Sequence, residues 1–474
     1  MRFPHVISVN TKETYDPSPT SLQLKLEQLR RTFPEKLDWG DKQCHSLARL
    51  CIAVISKNFQ KRPVLNSVYG ADRDLLLEIL PTNLPLEIVV PLINEEIYWK
   101  RRYNDEFGPV SQRLYPNWTW KQVFIEKYMQ KLTEEAEPQY NDEIDMEAMA
   151  KVCCSYVKRI LITQLQMWKP PRNWQKCEYP EIFPLDHINF EPILKNLTNI
   201  QEFDLIFGMN SVGETFCWEM FKFTPLDCNR LGNALLNLPN LRILRVHRSK
   251  LEYLQCQALV QGLLKNSTLI ELDLSYCEIQ DEGALCVAKL MTVHPVLEIV
   301  KLINNKIKKI GAEGIGYALL HQCCPLQRLD LRNNPLRHDG IMGILRALVR
   351  VSKPSELSLA GCIAEDDTPI RIAQMINLNS GLEVLDISSN YFGEEGGEQL
   401  TSSLRNNTKI QWLDVRETDI TAGQLKEINK ILRRNRLRED TVSEDEDEPE
   451  EVETEITEIV TEKVSEEEDE EEKD

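Results

Sequence analysis

Residues 326–336, LQRLDLRNNPL, followed by Gly340 and an apolar run, contain the phrase that decides the fold. Its apolar residues stand at the first, fourth, sixth and last positions, and an asparagine, Asn334, follows the third of them. The same phrase opens at positions that lie 28 or 29 residues apart: Leu241, Leu269, Leu297, Leu326, Pro354, Leu382 and Ile410. A period this constant indicates an internal repeat in which every copy folds as the same supersecondary unit.

The phrase L-x-x-L-x-L-x-x-(N/C)-x-(L/I), with a helix after it, is typical of long, ribonuclease-inhibitor-like leucine-rich repeats. It predicts an α/β solenoid over residues 193–437, with a parallel sheet on its concave side and the consensus apolar residues inside. Each repeat gains its stability by stacking on its neighbours. We expect the residues at the Asn/Cys position to turn the chain after each strand, with a structural role for the cysteines: Cys277, Asn305, Asn334, Cys362 and Asn390.

The first repeat departs from this period. Ile200, Phe203 and Leu205 have the spacing of a repeat strand, but the next strand opens only at Leu241. We therefore predict an insertion at about 206–223, followed by the helix of this repeat at 226–238. An insertion in a single repeat maps to a loop, often on a binding face.

The residues before the repeats have a different character. Residues 1–20 show no periodicity and predict an extended arm, whereas 21–168 predict a mostly α-helical domain that ends in a long helix at 141–168. No alternating strand pattern stands out there, and seven of the eight tryptophans precede the regular repeats, which indicates a separate domain. Residues 169–192 form a connector rich in proline and aromatic residues. We expect it to cover the apolar end of the first repeat, because a solenoid needs capped ends.

Residues 438–474 predict a disordered acidic tail. From Glu439 to Asp474 there are 21 acidic and 2 basic residues, so the tail accounts for the whole formal charge of −19 and the rest is neutral. A weak apolar stripe interrupts the acidic residues at Ile456, Ile459, Val460 and Val464. The neutral body argues against a nucleic-acid-binding protein that works by broad phosphate neutralisation.

No motif in the chain indicates catalysis, and we predict that the protein is not an enzyme. The sequence contains no P-loop, H-E-x-x-H or G-x-S-x-G motif. Its seven histidines are dispersed, and its 13 cysteines show no C-x-x-C pair or zinc-ligand spacing, so we expect no metal and no cofactor. His294 and His321 stand at helix ends, where we expect capping or solvent-exposed side chains.

Compartment signals are also absent from the sequence. The amino terminus lacks the apolar core of a signal peptide, and no apolar run approaches the length of a membrane-spanning helix. This favours a reducing, intracellular location without membrane contact, in which the cysteines stay free.

The outward-facing strand positions are the candidate binding residues, because the apolar ones point into the solenoid. They carry mixed charge, and we predict that a subset contacts a partner protein: Arg245, Asp273, Lys301, Arg328, Asp330, Arg332, Asp386, Trp412, Asp414 and Arg416. Trp412 is either an exposed aromatic anchor for a partner or a side chain packed under a C-terminal cap helix at 422–432.

Two stretches before the repeats point to a family. WKRRYNDEFG at 99–108 and WKPPRNW at 168–174, joined to an inserted first repeat, long leucine-rich repeats and an acidic tail, resemble the subunit 5 family of the nexin–dynein regulatory complex. The resemblance implies a non-catalytic structural subunit that links outer doublet microtubules in the axoneme of motile cilia and sperm flagella. The implied partners are other subunits of that complex, another leucine-rich-repeat subunit among them, with the microtubule doublet and dynein contacted indirectly.

Two other classes of function remain open. Leu80-Pro81 and LPLEI at 84–88 loosely match the opening of an F-box, and this would make the chain a substrate receptor of a ubiquitin ligase. A Ran-type GTPase-activating protein also pairs long repeats with an acidic tail, and Arg245 and Arg248 would be its candidate arginines. That family begins its repeats near the amino terminus, whereas here about 190 residues come first.

Overall fold

The computed structural model of the chain describes residues 46–110, 118–136, 143–166, 186–208, 222–321, 324–364 and 367–443, of which 143–145 and 439–443 by their backbone alone. The chain divides into two compact units, Met1–Pro109 and Val110–Asp474. The predicted arm at 1–20 lies outside the described residues. So do most of the predicted insertion, connector residues 169–185, and the tail beyond Ser443.

Four helices make up the described part of the first unit: α1 (Leu47–Asn58), α2 (Gly70–Ile79), α3 (Leu86–Leu92) and α4 (Glu96–Phe107). Trp99 of α4 is fully buried, and its indole nitrogen donates to the carbonyl of Ile93 at 2.9 Å. Arg101 of α4 donates to the carbonyls of Leu77 and Leu80, which satisfies the carboxyl end of α2. The prediction of a mostly helical amino-terminal region is confirmed for these residues.

The second unit begins with two helices and a strand, of which the sequence prediction missed only the strand: α5 (Trp120–Glu135), α6 (Glu143–Cys153) and β1 (Arg159–Ile162). The long helix expected at 141–168 is therefore wrong. Val157, Ile160 and Ile162 are all buried and have the spacing of a repeat strand. Residues 118–166 thus lie in the same compact unit as the repeats, and the predicted domain end at 168 differs from this division.

The remaining elements alternate between strand and helix. They are α7 (Glu191–Leu194), β2 (Glu202–Leu205), α8 (Pro225–Leu235), β3 (Ile243–Val246), α9 (Tyr253–Leu263), β4 (Glu271–Asp273), α10 (Gln280–Val293), β5 (Ile299–Lys301), α11 (Lys309–Leu319), β6 (Arg328–Asp330), α12 (Arg337–Leu348), β7 (Glu356–Ser358), α13 (Thr368–Leu378), β8 (Val384–Asp386), α14 (Gly393–Asn406), β9 (Trp412–Asp414) and α15 (Ala422–Ser443).

The described strands form one parallel sheet in chain order, from β1 to β9. Successive strands pair at the same position of the repeat, as Leu272 with Val300 and Leu329 with Leu357. Consensus positions are buried in every repeat, which confirms the predicted solenoid of long leucine-rich repeats. No described helix combines the length and apolar character needed to cross a bilayer.

Buried asparagines link successive repeats after each strand. The Asn334 carboxamide oxygen accepts from the backbone N–H groups of Asn305 and Ile307, at 2.8 and 3.1 Å. Its amide nitrogen donates to the carbonyl of Leu302 in the previous repeat at 2.7 Å. Asn305 and Asn390 repeat this arrangement, so the predicted turn role of the asparagines is confirmed.

The two cysteines at the same position are also structural. The Cys277 thiol donates to the carbonyl of Val246 at 3.1 Å, and the Cys362 thiol donates to that of Leu331 at 3.3 Å. Burial raises the pKa of both thiols to about 12. They are therefore protonated at neutral pH and act as weak donors within the core.

A second set of buried asparagines recurs at one position of the repeat, after the helix in earlier repeats and inside α15 in the last. Asn266, Asn379, Asn407 and Asn435 are buried there and donate to carbonyls of the preceding repeat, as Asn379 does to Leu348 at 2.6 Å. His294 occupies this position in its own repeat. It is the C-cap residue of α10, and its backbone N–H donates to the carbonyl of Leu290 at 2.9 Å. The side chain is buried, so the predicted solvent exposure is wrong, and neither ring nitrogen has a hydrogen-bond partner among the described residues. Burial lowers the pKa of His294, which keeps the ring neutral.

Helix α5 covers the outer edge of the first strand. The Glu126 carboxylate accepts from the backbone N–H groups of Lys158 and Arg159 at 2.9 and 3.0 Å. Two turns later, Glu134 accepts from the N–H and the hydroxyl of Thr163 at 2.8 and 2.9 Å. An unpaired strand edge invites pairing with another chain, and these two carboxylates bind backbone N–H groups at both ends of the β1 edge.

The described end of the connector packs near the second strand. His187 is buried, and its backbone N–H and ring both bond to Asp227 at 2.8 Å. Asp227 also completes a capping box with Thr224 at the start of α8. Phe190 meets Phe203 of β2 edge to face at 6.0 Å. The described end of the connector therefore covers this repeat, as predicted for the connector.

Helix α15 ends the solenoid. Ile428, Ile431, Leu432 and Asn435 are buried against the last repeat. The helix continues to Ser443 and so extends beyond both the cap predicted at 422–432 and the predicted start of the tail at 438.

Candidate functional site

The outward-facing side chains of the strands form the candidate binding surface, because side chains alternate between core and surface along each strand. We call this surface the strand face. It comprises Glu202, Asp204, Ile243, Arg245, Glu271, Asp273, Ile299, Lys301, Arg328, Asp330, Glu356, Ser358, Val384, Asp386, Trp412 and Asp414, together with the residues that follow each strand: His247, Ser275, Ile303, Arg332, Ala360, Ser388 and Arg416.

The charged side chains on and just after strands β2 to β5 form ion pairs with one another. Arg245 lies between two carboxylates, pairing with Glu202 and, at 3.1 Å, with Glu271. Lys301 approaches Glu271 from the other side at 2.7 Å. His247 contacts Asp204 at 2.8 Å. The predicted binding residues Arg245 and Lys301 are thus engaged within the chain.

The pKa of Glu271 reflects this network. Burial would raise it, but hydrogen bonds from Lys301 and Arg245 outweigh burial and hold the pKa below its ordinary value. The carboxylate is therefore ionised at neutral pH and holds both cations in place. Arg245 is also unsuited to act as the free arginine of a GTPase-activating protein, because its guanidinium is occupied.

The aspartates of the strand face have a backbone role. Asp273, Asp330, Asp386 and Asp414 each accept from the backbone N–H group two residues ahead, at 2.9 to 3.2 Å. This short side-chain bond fixes the turn that follows the strand. Asp330 is only 2% exposed, so the prediction that it faces a partner is wrong. All four side chains stabilise the turn after their strand, and the prediction that Asp273, Asp386 and Asp414 contact a partner stays a prediction.

The end of the strand face at β9 is more open. Trp412 stands opposite Val384 of β8 and is 59% exposed, so its alternative placement under the cap helix is wrong. The Arg416 side chain is 83% exposed while it donates to Asp414 at 2.6 Å. This bond holds the pKa of Asp414 below its ordinary value. The Trp412 ring and the Arg416 guanidinium, which Asp414 holds in place, thus project from the same end of the sheet.

Arg328 and Arg332 extend the accessible surface towards β6. Arg328 pairs with Glu356 at 3.3 Å, and both side chains are exposed. Arg332 pairs with Asp330 at 2.6 Å, so the buried aspartate positions an accessible guanidinium. The structure therefore places Arg328, Arg332, Trp412 and Arg416 in the accessible half of the strand face.

Sequence reasoning missed Glu202 and Asp204, which hold Arg245 and His247. Both stand at outward-facing positions of the first predicted repeat strand, and the register pairs Asp204 with Arg245. Aligning that irregular strand with the regular ones would have revealed the opposite charges. In the part of the chain that the structure describes, no group of three or more His, Cys, Asp or Glu side chains is arranged to hold a metal ion.

Comparison with known proteins agrees with this architecture. A family model described as Leucine Rich repeat matches residues 265–288 and 322–345. Pig (Sus scrofa) Ribonuclease inhibitor is 26% identical over 211 residues, which cover 44% of this chain and 40% of the inhibitor. The similarity to the inhibitor supports long repeats as the fold class.

Relatives from four organisms carry the name Dynein regulatory complex subunit 5. The mouse (Mus musculus) protein is 30% identical over 297 residues, which cover 60% of this chain and 58% of the mouse protein. The Chlamydomonas reinhardtii protein is 25% identical over 207 residues, which cover 44% of this chain and 48% of that protein. The chain thus spans about half the length of these relatives, and the resemblance predicted from the sequence is confirmed.

Proposed function

We propose that this chain is a non-catalytic structural subunit of the nexin–dynein regulatory complex that works through protein–protein contacts. The observation that carries the proposal is the similarity to Dynein regulatory complex subunit 5 of mouse and Chlamydomonas. Such a subunit resides in the cytoskeleton, in the axoneme of motile cilia and sperm flagella. There it helps to link outer doublets and to regulate bending.

The partners in this proposal are other subunits of the complex, including another leucine-rich-repeat subunit. The microtubule doublet and dynein are contacted through them. A rigid repeat array suits this role because stacked repeats present one continuous surface without moving parts. The closed charge network of Arg245 and Glu271 adds rigidity rather than a reactive group.

The contact surface in this proposal is the half of the strand face that contains Arg328, Arg332, Trp412 and Arg416. Exposed tryptophan and arginine side chains are the residue types that most often dominate the energy of a protein interface. Trp412 combines a large exposed ring with neighbours that are already held in place, so little side-chain entropy is lost on binding.

The test is to express the tagged full chain in multiciliated cells that lack the endogenous protein. The proposal expects the chain to localise along the axoneme, to remain after detergent extraction, and to be released by high salt together with other subunits of the regulatory complex. A chain that stays in the soluble cytoplasm, or co-purifies stoichiometrically with a ubiquitin-ligase adaptor instead, would overturn it. In the second case, Leu84→Asp and Ile88→Asp should abolish the adaptor contact.

A further inference from the structure

The outer surface of α15 forms an open groove at the end of the solenoid. In the preceding repeat the corresponding helix surface is covered by the next helix, as Gly397 and Thr401 of α14 are buried and Gly397 lies against Gln424 of α15. On α15 this surface is exposed and is bounded by Leu425, Lys426, Lys430, Arg433 and Leu437. It is the last helix among the described residues, so no further repeat in that part of the chain covers it.

The groove combines positive charge with apolar side chains. Leu425 and Leu437 are 41% and 64% exposed, about three turns apart on the helix. Lys426, Lys430 and Arg433 lie between them and form no ion pair with any other residue in the described ranges. Large apolar side chains flanked by unpaired cations are a surface that suits an acidic, amphipathic segment.

Other basic side chains of α15 have structural roles and do not compete for such a segment. Arg434 donates to the carbonyls of Arg405 and Asn407, which closes the end of α14. Glu427, the one acidic residue between Ala422 and Arg438, is paired with Arg405 at 2.6 Å. The groove therefore keeps its net positive charge.

The chain itself contains a segment with the complementary pattern. Ile456, Ile459, Val460 and Val464 have the spacing of one helix face, and carboxylates at Glu455, Glu458, Glu462 and Glu466 surround them. Acidic residues outnumber basic ones in this part of the sequence by a wide margin, whereas residues 426–438 are predominantly basic. Charge and apolar spacing thus match between two parts of one polypeptide.

Tethering favours this occupant over a separate acidic protein. Residues 444–454 can span about 35 Å when extended, at roughly 3.3 Å per residue. Turning back along the groove from Leu437 to Leu425 requires about 18 Å, at 1.5 Å per residue of helix. The linker is therefore long enough, and a short flexible tether gives an effective concentration on the order of millimolar.

We propose that residues 455–466 of the acidic tail dock on the outer groove of α15, with their apolar side chains on Leu425 and Leu437 and their carboxylates on Lys426, Lys430 and Arg433. The docked tail then covers the exposed surface of α15 and competes with other acidic segments for binding to the groove. This proposal is independent of the complex in which the chain functions.

Carbodiimide cross-linking of the full-length chain tests the contact, since it joins a carboxylate to a lysine amine only at contact distance. We expect peptides that join Lys426 or Lys430 to Glu455, Glu458 or Glu462. Exposed lysines on other repeats, Lys265 and Lys289, are the internal control and should react with the tail at least about tenfold less, as an effective concentration confined to one site requires. Equal reaction at all four lysines would overturn the proposal.

Three double variants and an isotope experiment separate docking from general charge attraction. Ile456→Ser with Ile459→Ser keeps every charge, so loss of the α15 cross-links supports apolar docking, and unchanged cross-links contradict it. Lys430→Glu with Arg433→Glu should remove the remaining cross-link at Lys426, whereas Lys265→Glu with Lys289→Glu should not.

In a mixture of light and heavy-isotope chains, cross-links within one chain are expected. Mixed-isotope cross-links as the main product would overturn the intramolecular contact.

Discussion

The two ends of the sheet are built differently. At β1, two carboxylates of α5, Glu126 and Glu134, accept the backbone N–H groups of the outer strand edge. At β9, the largest side chain of the strand is a tryptophan that is 59% exposed. Polar side chains at the first end therefore form hydrogen bonds within the fold, whereas the second end exposes an aromatic ring to solvent. Burial and internal bonding, rather than position in the repeat, therefore separate the side chains that hold the fold together from those that are open to a partner.

The largest effect that should distinguish the two ends is a pH dependence of the free energy of unfolding, caused by the ionisation of Glu126. Burial raises the pKa of this carboxyl to about 7, against the lowering effect of the N–H groups that it accepts. Because the folded pKa lies above the unfolded one, the folded state binds the proton more tightly. The stability contribution is complete below about pH 4.5 and is lost as the pH rises towards 7.

The loss should reach at most about 3 kcal/mol in the free energy of unfolding, at 1.4 kcal/mol per pKa unit. Urea denaturation at pH 5 and pH 8 measures it, with Glu126→Gln as the variant that cannot ionise. We expect Glu126→Gln to gain stability relative to the unmodified chain between these two pH values. A difference that is the same at both pH values would show that Glu126 ionises normally.

Glu134→Ala should reduce the free energy of unfolding by about 2 kcal/mol, because Thr163 loses the acceptor for both its N–H group and its hydroxyl. Glu135→Ala on the same helix is the matched control, since that side chain is exposed and should change stability by less than about 0.5 kcal/mol. Chemical denaturation compares the two. Equal losses would mean that the closed edge at β1 does not depend on this carboxylate.

Between the two ends, His294→Asn should stabilise the solenoid by about 1 kcal/mol. An asparagine at this position can donate to the carbonyls of the preceding repeat, as Asn266 and Asn379 do, whereas the histidine ring leaves both nitrogens unbonded among the described residues. The midpoint of thermal unfolding is the measurement, with His321→Asn at an exposed position as control. A lower midpoint for His294→Asn would indicate that the histidine fills space that asparagine cannot.

The smallest effect on stability should come from Trp412→Ala, which is expected to change the free energy of unfolding by less than about 0.5 kcal/mol because the ring is mostly exposed. Denaturation of this variant beside Glu134→Ala tests the contrast between the ends directly. A loss as large as that of Glu134→Ala would place Trp412 among the structural residues.

The repeat period predicted the regular part of the fold, because each consensus leucine must be buried for any repeat to be stable. The strand at β1 escaped prediction although Val157, Ile160 and Ile162 have the repeat spacing. Its distance from the next strand is longer than the repeat period, so the period does not reveal it. No local sequence pattern predicts that α5 binds the N–H groups at the edge of this strand. Asn334 and Cys362 were correctly assigned to turns, since their type and position suffice for that role.

The binding surface was harder to predict than the fold. Sequence spacing places Asp330 and Arg332 on the same face, but it cannot tell that Asp330 turns back to its own backbone and is buried. Arg245 and Lys301 looked accessible because their partner Glu271 lies one repeat away. Trp412 and Arg416 kept both their predicted orientation and a large exposed area. Charge reversal at Asp386 or Asp414 would disturb the turns, so Trp412 and Arg416 are better positions for testing partner contact.

The most direct test of the open end at β9 as the partner contact is retention in isolated axonemes. Trp412→Ala combined with Arg416→Glu should reduce the amount of chain retained by at least about tenfold, the range expected for loss of a tryptophan–arginine anchor. Tyr317→Ala combined with Lys289→Glu removes an exposed ring and an exposed base from the helix side and should be retained as the unmodified chain is. Full retention of the Trp412 and Arg416 variant, with an intact fold, would contradict the account.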